Sequence, residues 1–282
     1  MAKITAALIK ELRDATGAGM MDVKKALTEA EGDVARAKEI IRAKGIQAAG
    51  AREGRKAQEG LIASTVKDDA EGQTAYAVEL NSETDFVAKT PQFVEFGDEV
   101  VADVAEAGAA TADEALKAAS KAGTVNDTVE EAGALFHEHV KLGQFAKVSG
   151  PKVEIYAHHK SVELPPSIVA IIATDEAGSA VAHEVALQIS AMSPKWLSRE
   201  DVPAEIVESE RRVATEKSLA EGKPEKIVPK IVEGRLNSFF KETVLLEQQY
   251  VKDSSRTIAD LFKEVNGKAV AFARLEVGKG EE

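Results

Sequence analysis

The sequence predicts an α+β fold: a three-helix N-terminal module, then two pseudo-repeated α+β core halves with antiparallel sheets, the second interrupted by an inserted antiparallel helical hairpin. Three observations predict it. Residues 5–44 carry apolar side chains at a period of three to four, punctuated by glycine. A strand, strand, helix order occurs twice beyond residue 60. Two long helical patterns meet at Glu221-Gly222-Lys223-Pro224. The boundaries expected are 1–45 for the module, 46–59 for a linker, 60–149 for the first core half and 150–282 for the second, with the hairpin at 200–241.

In the module, Thr5 caps a first helix whose Leu8, Leu12 and Ala15 share a face, and Gly17 and Gly19 stop it. The second helix starts near Asp22, turns Val23, Ala26, Leu27 and Ala30 inward and ends at Gly32. Asp33 caps the third, which buries Val34, Ala37, Ile40 and Ile41 before Gly45. Such a bundle is of the ubiquitin-associated kind, and it is small for an independent core. Ala48 to Glu59 is rich in Ala, Gly and Arg without an apolar period and reads as a hinge or linker.

The first core half opens with a strand, Leu61 to Val66, a turn over Asp68 to Gly72, and a second strand, Thr74 to Leu80. A helix with Phe93, Phe96, Val100, Val101 and Val104 comes next, and the Ala-rich residues 105–141 are mostly helical in pattern. The second half repeats the plan: strands at Val153 to His158 and Ser167 to Ala173, a loop at Thr174 to Gly178, and a helix through Val181, Val185, Leu187, Ile189 and Met192. The hairpin sets Ile206, Val213 and Leu219 against Ile227, Ile231, Leu236 and Phe239, with Gly222 ending one helix and Pro224 starting the next. A helix around Ile258, Leu261 and Val265 and a strand from Lys268 to Val277 complete the second sheet.

Composition excludes several function classes. Charged residues make up 30% of the 282 and hydrophobic ones 44%, as in an ordinary soluble chain, while 5% aromatics leaves few rings for stacking bases. A net charge of −12 opposes broad phosphate contact, so direct nucleic-acid binding is not expected. Residues 1–60 hold 12 Lys and Arg against 9 Asp and Glu, net +3, leaving 24 against 39, net −15, for the rest. The basic part suits an acidic partner surface, or is a solvated mixed-charge helix pair. With no cysteine there are no disulfides, thiolate metal sites or thiol catalysis, which fits a reducing cytoplasm. The N-terminus reads as an amphipathic helix and not a signal peptide, and no apolar run is long enough to span a bilayer, so no membrane partner is expected.

The sequence also lacks the usual marks of chemistry. There is no P-loop, dinucleotide fingerprint or nucleophile elbow, so neither a bound nucleotide or other cofactor nor a catalytic residue is expected. His137-Glu138-His139 is the one metal-like cluster, but Leu135-Phe136 and Val140-Lys141-Leu142 around it read helix-like, which sends the two histidines apart. No metal site is expected. The most specific signal is Asn81 to Lys89, a polar run directly after a buried strand. Thr84 or Asp85 can cap a helix there, with Phe86 folded back as a staple; in the other reading Phe86 is a wedge aimed at a partner.

The string Thr84-Asp85-Phe86-Val87-Ala88-Lys89 resembles the signature of the bacterial translation elongation factor Ts family. Thr16-Gly17-Ala18-Gly19-Met20-Met21-Asp22, followed by Lys24-Lys25-Ala26-Leu27, resembles that family's other signature, in the same order along the chain. The resemblance covers nearly the whole sequence. It implies a cytoplasmic guanine-nucleotide exchange factor without active-site chemistry of its own, whose partner is elongation factor Tu, GDP-bound and nucleotide-free, during translation elongation. Carried over residue by residue, it implies that Thr84, Asp85, Phe86 and Val87 disturb the partner's Mg²⁺ and phosphate site. It implies likewise that Arg13, Met20, Met21 and Lys24 grip a helix of the partner's nucleotide domain, and that His158 of Tyr156-Ala157-His158, and Val251, make further contacts. Gln249 and Tyr250 depart from the pattern, standing where Pro-Phe is usual. The extra C-terminal helix of some relatives is also missing, which implies heavier reliance on the core and module for affinity. Self-association stays open. So does a reading of another class: an adaptor or scaffold whose three-helix module, through the Gly19-Met20 loop, binds ubiquitin-like or other chains.

Overall fold

The computed structural model describes residues 4–280 other than 17, 51, 53 and 71, and their side chains other than those of 14 and 46–50. Helices α1 (Ala6–Thr16), α2 (Met20–Glu29) and α3 (Val34–Gly50) enclose Leu12, Val23, Ala26, Leu27, Ala30 and Ala37. Both expected caps form: the Leu8 N–H donates to the Thr5 hydroxyl at 3.2 Å, and the Arg36 N–H to the Asp33 carboxylate at 3.1 Å. Of the expected stops of α1, Gly17 lies outside the described residues. Ala15 and Val34 are exposed instead of buried, Val34 because it is the first residue of α3 and precedes the turn that packs on α2.

The first core half comprises β1 (Glu59–Asp69), β2 (Gly72–Ser82), the one-turn α4 (Asp85–Ala88), α5 (Pro91–Ala107), α6 (Ala112–Lys117), a short β3 (Ala119–Ser120) and β4 (Gly123–Thr124) pair, α7 (Val125–Phe136) and β5 (Lys141–Gly150). The second comprises β6 (Lys152–His159), β7 (Pro166–Thr174), α8 (Ser179–Met192), the hairpin helices α9 (Ala204–Ala220) and α10 (Val228–Thr243), the pair β8 (Gln249–Tyr250) and β9 (Asp253–Thr257), α11 (Ile258–Glu264) and β10 (Ala269–Glu276). Strand orders are β1-β2-β5 and β10-β7-β6, antiparallel throughout. In each half a hairpin's second strand is central and a returning strand pairs with it, so the α+β class and the repeated plan are both present.

Side-chain alternation assembles four layers. Along β2, Tyr76, Val78 and Leu80 face the helices of the first half with Phe93, Val100 and Val104, whereas Ala75 and Ala77 face the second sheet. Along β7, Ala170 and Ile172 face α8 and α11, and Val169, Ile171 and Ala173 face the first sheet. Helices therefore cover the outer face of each sheet and the inner faces pack on one another.

Three local expectations are corrected. Residues 141 and 142, read as helix, begin β5: α7 ends at Phe136, and His137 in a left-handed conformation (φ 56°) turns the chain. Gly45 does not end α3, which runs on to Gly50, into the stretch read as linker. Its missing side chain serves approach, since a Cβ there would sit 2.8 Å from the Ala134 Cβ of α7. Arg42 then pairs with Glu131 at 2.6 Å, fixing α3 along α7.

The hairpin seam is displaced from the one expected. Val207, Ala214 and Ser218 of α9 meet Val228, Val232, Leu236 and Phe240 of α10, while Ile206, Val213, Leu219 and Ile227 are exposed. Small residues at 214 and 218 let the helices close. The hairpin's stem fixes its rotation, with the Leu245 N–H on the Trp196 carbonyl at 2.8 Å and Arg199 stacked on Phe240 at 4.4 Å. Pro224 lies in the connecting turn, and α10 starts at Val228 with Pro229 in its first turn. Truncating Leu236, 3% exposed, to Ala is expected to lower stability by about 2–5 kcal/mol. Truncating Leu219, 48% exposed, should stay within about 0.5 kcal/mol. Equal shifts in urea unfolding would contradict this register.

Candidate functional site

The site grows from the exit of β2. Ser82 is buried and donates to the Thr84 carbonyl at 3.0 Å, turning the chain as it leaves the sheet. Thr84 is extended and its hydroxyl accepts the Val87 N–H at 3.4 Å, so it is the N-cap of α4. Thr90 caps α5 next, accepting the Phe93 N–H at 3.2 Å and donating to the Val87 carbonyl at 2.8 Å. Between the caps, Val87 and Ala88 pack on the first core and Asp85 and Phe86 point away from it. Phe86 is 70% exposed, with the Lys89 ammonium 4.6 Å from the ring centroid. The cap reading holds at Thr84, but the staple does not: Phe86 projects. The Asp85 carboxylate takes no hydrogen bond among the described residues.

A pair of carboxylates ties this loop to the turn between α7 and β5. Glu138 accepts the N–H groups of Glu83 (2.9 Å) and Thr84 (3.0 Å) on one oxygen and the Thr84 hydroxyl (2.6 Å) on the other. Reciprocally, Glu83 accepts the His139 N–H at 2.7 Å and an Arg55 guanidinium contact at 3.3 Å. The His139 N–H, reinforced by Arg55, holds the Glu83 carboxyl below its ordinary range. Nothing in the sequence spacing marks Glu138, 54 residues from Thr84 in the chain, as their partner. Among the described residues no group of three or more His, Asp or Glu is placed to hold a metal ion.

The equivalent loop of the second half is held by its own aspartate, to its own turn and to the start of β10. There Asp175 accepts the N–H groups of Gly178 (2.7 Å) and Lys268 (2.9 Å), and the Lys268 and Gly178 donors keep its carboxyl below the usual range. Where the first half frees an aspartate and projects a ring, the second has used its aspartate to bind backbone.

The other candidate residues are distributed. Arg13, Met20, Met21 and Lys24 are all exposed, Met20 at 59% and Met21 at 65%, so neither methionine belongs to the module core. The cavity of about 760 Å³ between module and α7 is lined instead by Asp22, Lys25, Lys38, Arg42 and His137. His158 is exposed near the end of β6, its Nδ1 3.4 Å from the Tyr156 hydroxyl. It shares the Ile168 rung with Glu276 of β10, whose carbonyl accepts the Gln144 amide of β5 at 2.6 Å. His158 thus lies at the end of the second sheet that abuts the signature-loop end of the first. Val251 is exposed beside α8, its N–H on buried Gln188 at 2.8 Å, and belongs to the outer layer of the second half.

Comparison with known proteins identifies the family. A family model described as Elongation factor TS matches residues 83–279, from the signature loop to just past β10. Elongation factor Ts of Bifidobacterium animalis subsp. lactis is 78% identical over 282 residues, covering 100% of this chain and 99% of the relative. That of Bifidobacterium longum subsp. infantis is 76% identical over 282 residues and covers both chains fully. That of Renibacterium salmoninarum is 49% identical over 281 residues, 99% of this chain and 100% of the relative. With a family match over most of the chain and relatives aligned end to end, this protein belongs to the elongation factor Ts family of translation elongation factors.

Proposed function

We propose that this chain is the guanine-nucleotide exchange factor of elongation factor Tu, binding its GDP-bound and nucleotide-free forms in the cytoplasm and carrying no cofactor or active-site chemistry of its own. The observation that carries the reading is the exposed Asp85-Phe86 pair on a loop anchored at both ends by threonine caps. In a nucleotide-binding partner, Mg²⁺ and backbone amides neutralise the diphosphate, so a ring and a carboxylate pressed against that site displace strong electrostatic contacts. Only contacts that differ between the nucleotide-bound and free partner accelerate release. By linkage, factor and GDP weaken each other's binding.

Thr84 and Val87 serve that loop as cap and anchor. Arg13, Met20, Met21 and Lys24 form the module's grip, and His158 and Val251 extend the contact along the second half. The working division is a partner-binding module at 1–45, a linker at 46–59 whose first residues, to Gly50, continue α3, core halves at 60–149 and 150–282, and the hairpin at 200–241.

Phe86→Ala is expected to slow GDP release at saturating factor by about tenfold or more, equivalent to about 1.4 kcal/mol of barrier. Its stability should change far less than the roughly 3–5 kcal/mol lost on truncating a buried Phe. Stopped-flow release of fluorescent GDP and thermal melts on the same variant decide it: a large melting drop with normal release would place the ring in the core and not at the partner. The double variant Met20→Ala, Met21→Ala should weaken complex formation by on the order of tenfold, as loss of an apolar interface anchor does, with melting unchanged. Unaltered affinity in titration calorimetry would remove the module from the grip. GDP titrated into this chain alone should give no heat of binding, and micromolar binding would contradict an exchange factor that holds no nucleotide itself.

A further inference from the structure

We infer that Glu138 is a positioning residue for exchange, acting through the Glu83–Val87 loop without itself belonging to the exposed pair. The inference rests on the reading of Asp85 and Phe86 as the exchange element. A one-turn helix cannot hold its own direction: α4 spans Asp85–Ala88, and the residues ahead of it have left the β2 ladder. Two N–H groups, of Glu83 and Thr84, and the Thr84 hydroxyl all converge on the Glu138 carboxylate. Charge-assisted bonds to two successive amides and the capping hydroxyl fix both the position and the rotation of the helix start.

The carboxylate itself is held in place. Phe136 before it packs edge-on against Phe93 and Phe96, with centroids at 5.6 and 6.0 Å, and Val140 after it is buried in the same core. The His139 N–H returns a bond to Glu83 at 2.7 Å, and the His139 ring meets the Arg55 carbonyl at 2.7 Å. The loop is therefore braced against the α5–α7 core from outside. In the second half Asp175 itself takes the N–H of Gly178 in its own loop and that of Lys268 ahead of β10. Because Glu138 does this work in the first half, Asp85 takes no hydrogen bond among the described residues and is exposed to meet a partner.

The test uses the full chain with three substitutions, Glu138→Ala, Glu138→Gln and Glu138→Asp, and Phe86→Ala as reference. GDP release from elongation factor Tu is followed over a range of factor concentrations. A misplaced reacting group costs up to about a hundredfold in rate, so Glu138→Ala and the shorter Glu138→Asp should lower the maximal release rate by about tenfold or more. The half-saturating concentration should move less than about threefold, the pattern of a loss confined to the activated step. Glu138→Gln should recover most of the rate, because its amide oxygen still accepts both N–H groups. Amide hydrogen exchange at Glu83 and Thr84 should quicken in Glu138→Ala and Glu138→Asp but not in Glu138→Gln. If Glu138→Ala does not fold, Glu138→Asp against Glu138→Gln carries the comparison. Slow release by Phe86→Ala with normal maximal rates in Glu138→Ala and Glu138→Asp would overturn the positioning role and leave the exchange reading standing. Equal loss of rate, affinity and melting temperature in all three Glu138 variants would also overturn it, as a purely structural residue behaves that way. Normal release by Phe86→Ala would instead defeat the exchange reading of the loop, and this inference with it.

Discussion

The two sheets pack face to face, and everything else in the core is arranged around that contact. It requires each central strand to be apolar on both faces, and it requires small side chains where the sheets approach: Ala75 and Ala77 on one side, Ala173 on the other, with Ile62, Val169 and Ile171 filling the gaps. The large polar group admitted is Glu79, buried next along the same face of β2. It is fully engaged, accepting from Asn81 (2.6 Å), the Gln144 backbone (3.0 Å) and side chain (2.7 Å), and the Gly278 N–H (2.7 Å). A buried carboxylate unpartnered would be costly, whereas this one stitches β2, β5 and the segment after β10 together at one end of the sandwich. Gly143 leaves the space for it, since a Cβ there would lie 2.7 Å from a Glu79 oxygen.

That stitched end is where the chain exits β2, and it explains why a projecting loop can be well placed. The residues that leave the sheet start from a fixed frame, turn over buried Ser82, and are then capped twice in quick succession, at Thr84 and Thr90. An exposed aromatic is useful to a partner only if its backbone does not drift, and hydrogen-bonded caps supply that order with few residues. Duplication of the plan shows what was altered to gain it. Both halves leave a central strand through a Thr-Asp pair, but in one the aspartate closes its own turn and in the other the closing carboxylate is borrowed from elsewhere in the fold.

The two peripheral elements attach by different physics. The module leans on the core through close helix approach at Gly45 and the Arg42–Glu131 pair, with a cavity of mixed polar and apolar lining left between them. The hairpin is held at its stem by backbone bonds to Trp196 and by the Arg199–Glu247 pair, and beyond the stem by its own seam. Surface ion pairs along it, Arg211–Glu233 at 2.7 Å and Arg235–Glu221 at 2.9 Å, add little stability individually.

By itself the sequence determined the class, the order of most main elements though not the strand β5, the two caps of the module, the repeated core plan and the position of the signature loop. These are set by local periodicity and by short polar side chains bonding nearby backbone, interactions that act over a few residues and leave a pattern in the chain. It left undecided whether Phe86 folds back or projects, because a cap at Thr84 is compatible with both. It placed Leu236 and Phe239 at the hairpin seam but put Ile206, Val213, Leu219 and Ile227 there in place of their neighbours, because adjacent positions on one helix are nearly equivalent until packing chooses between them. Gly45 looked like a stop when it is a point of contact with Ala134 of α7, far along the chain. Glu138 sat inside a His-rich cluster with no local sign of its partner. In each case the tertiary structure decided, since the deciding contact joins residues distant in sequence and selects among local arrangements that are nearly equal in energy.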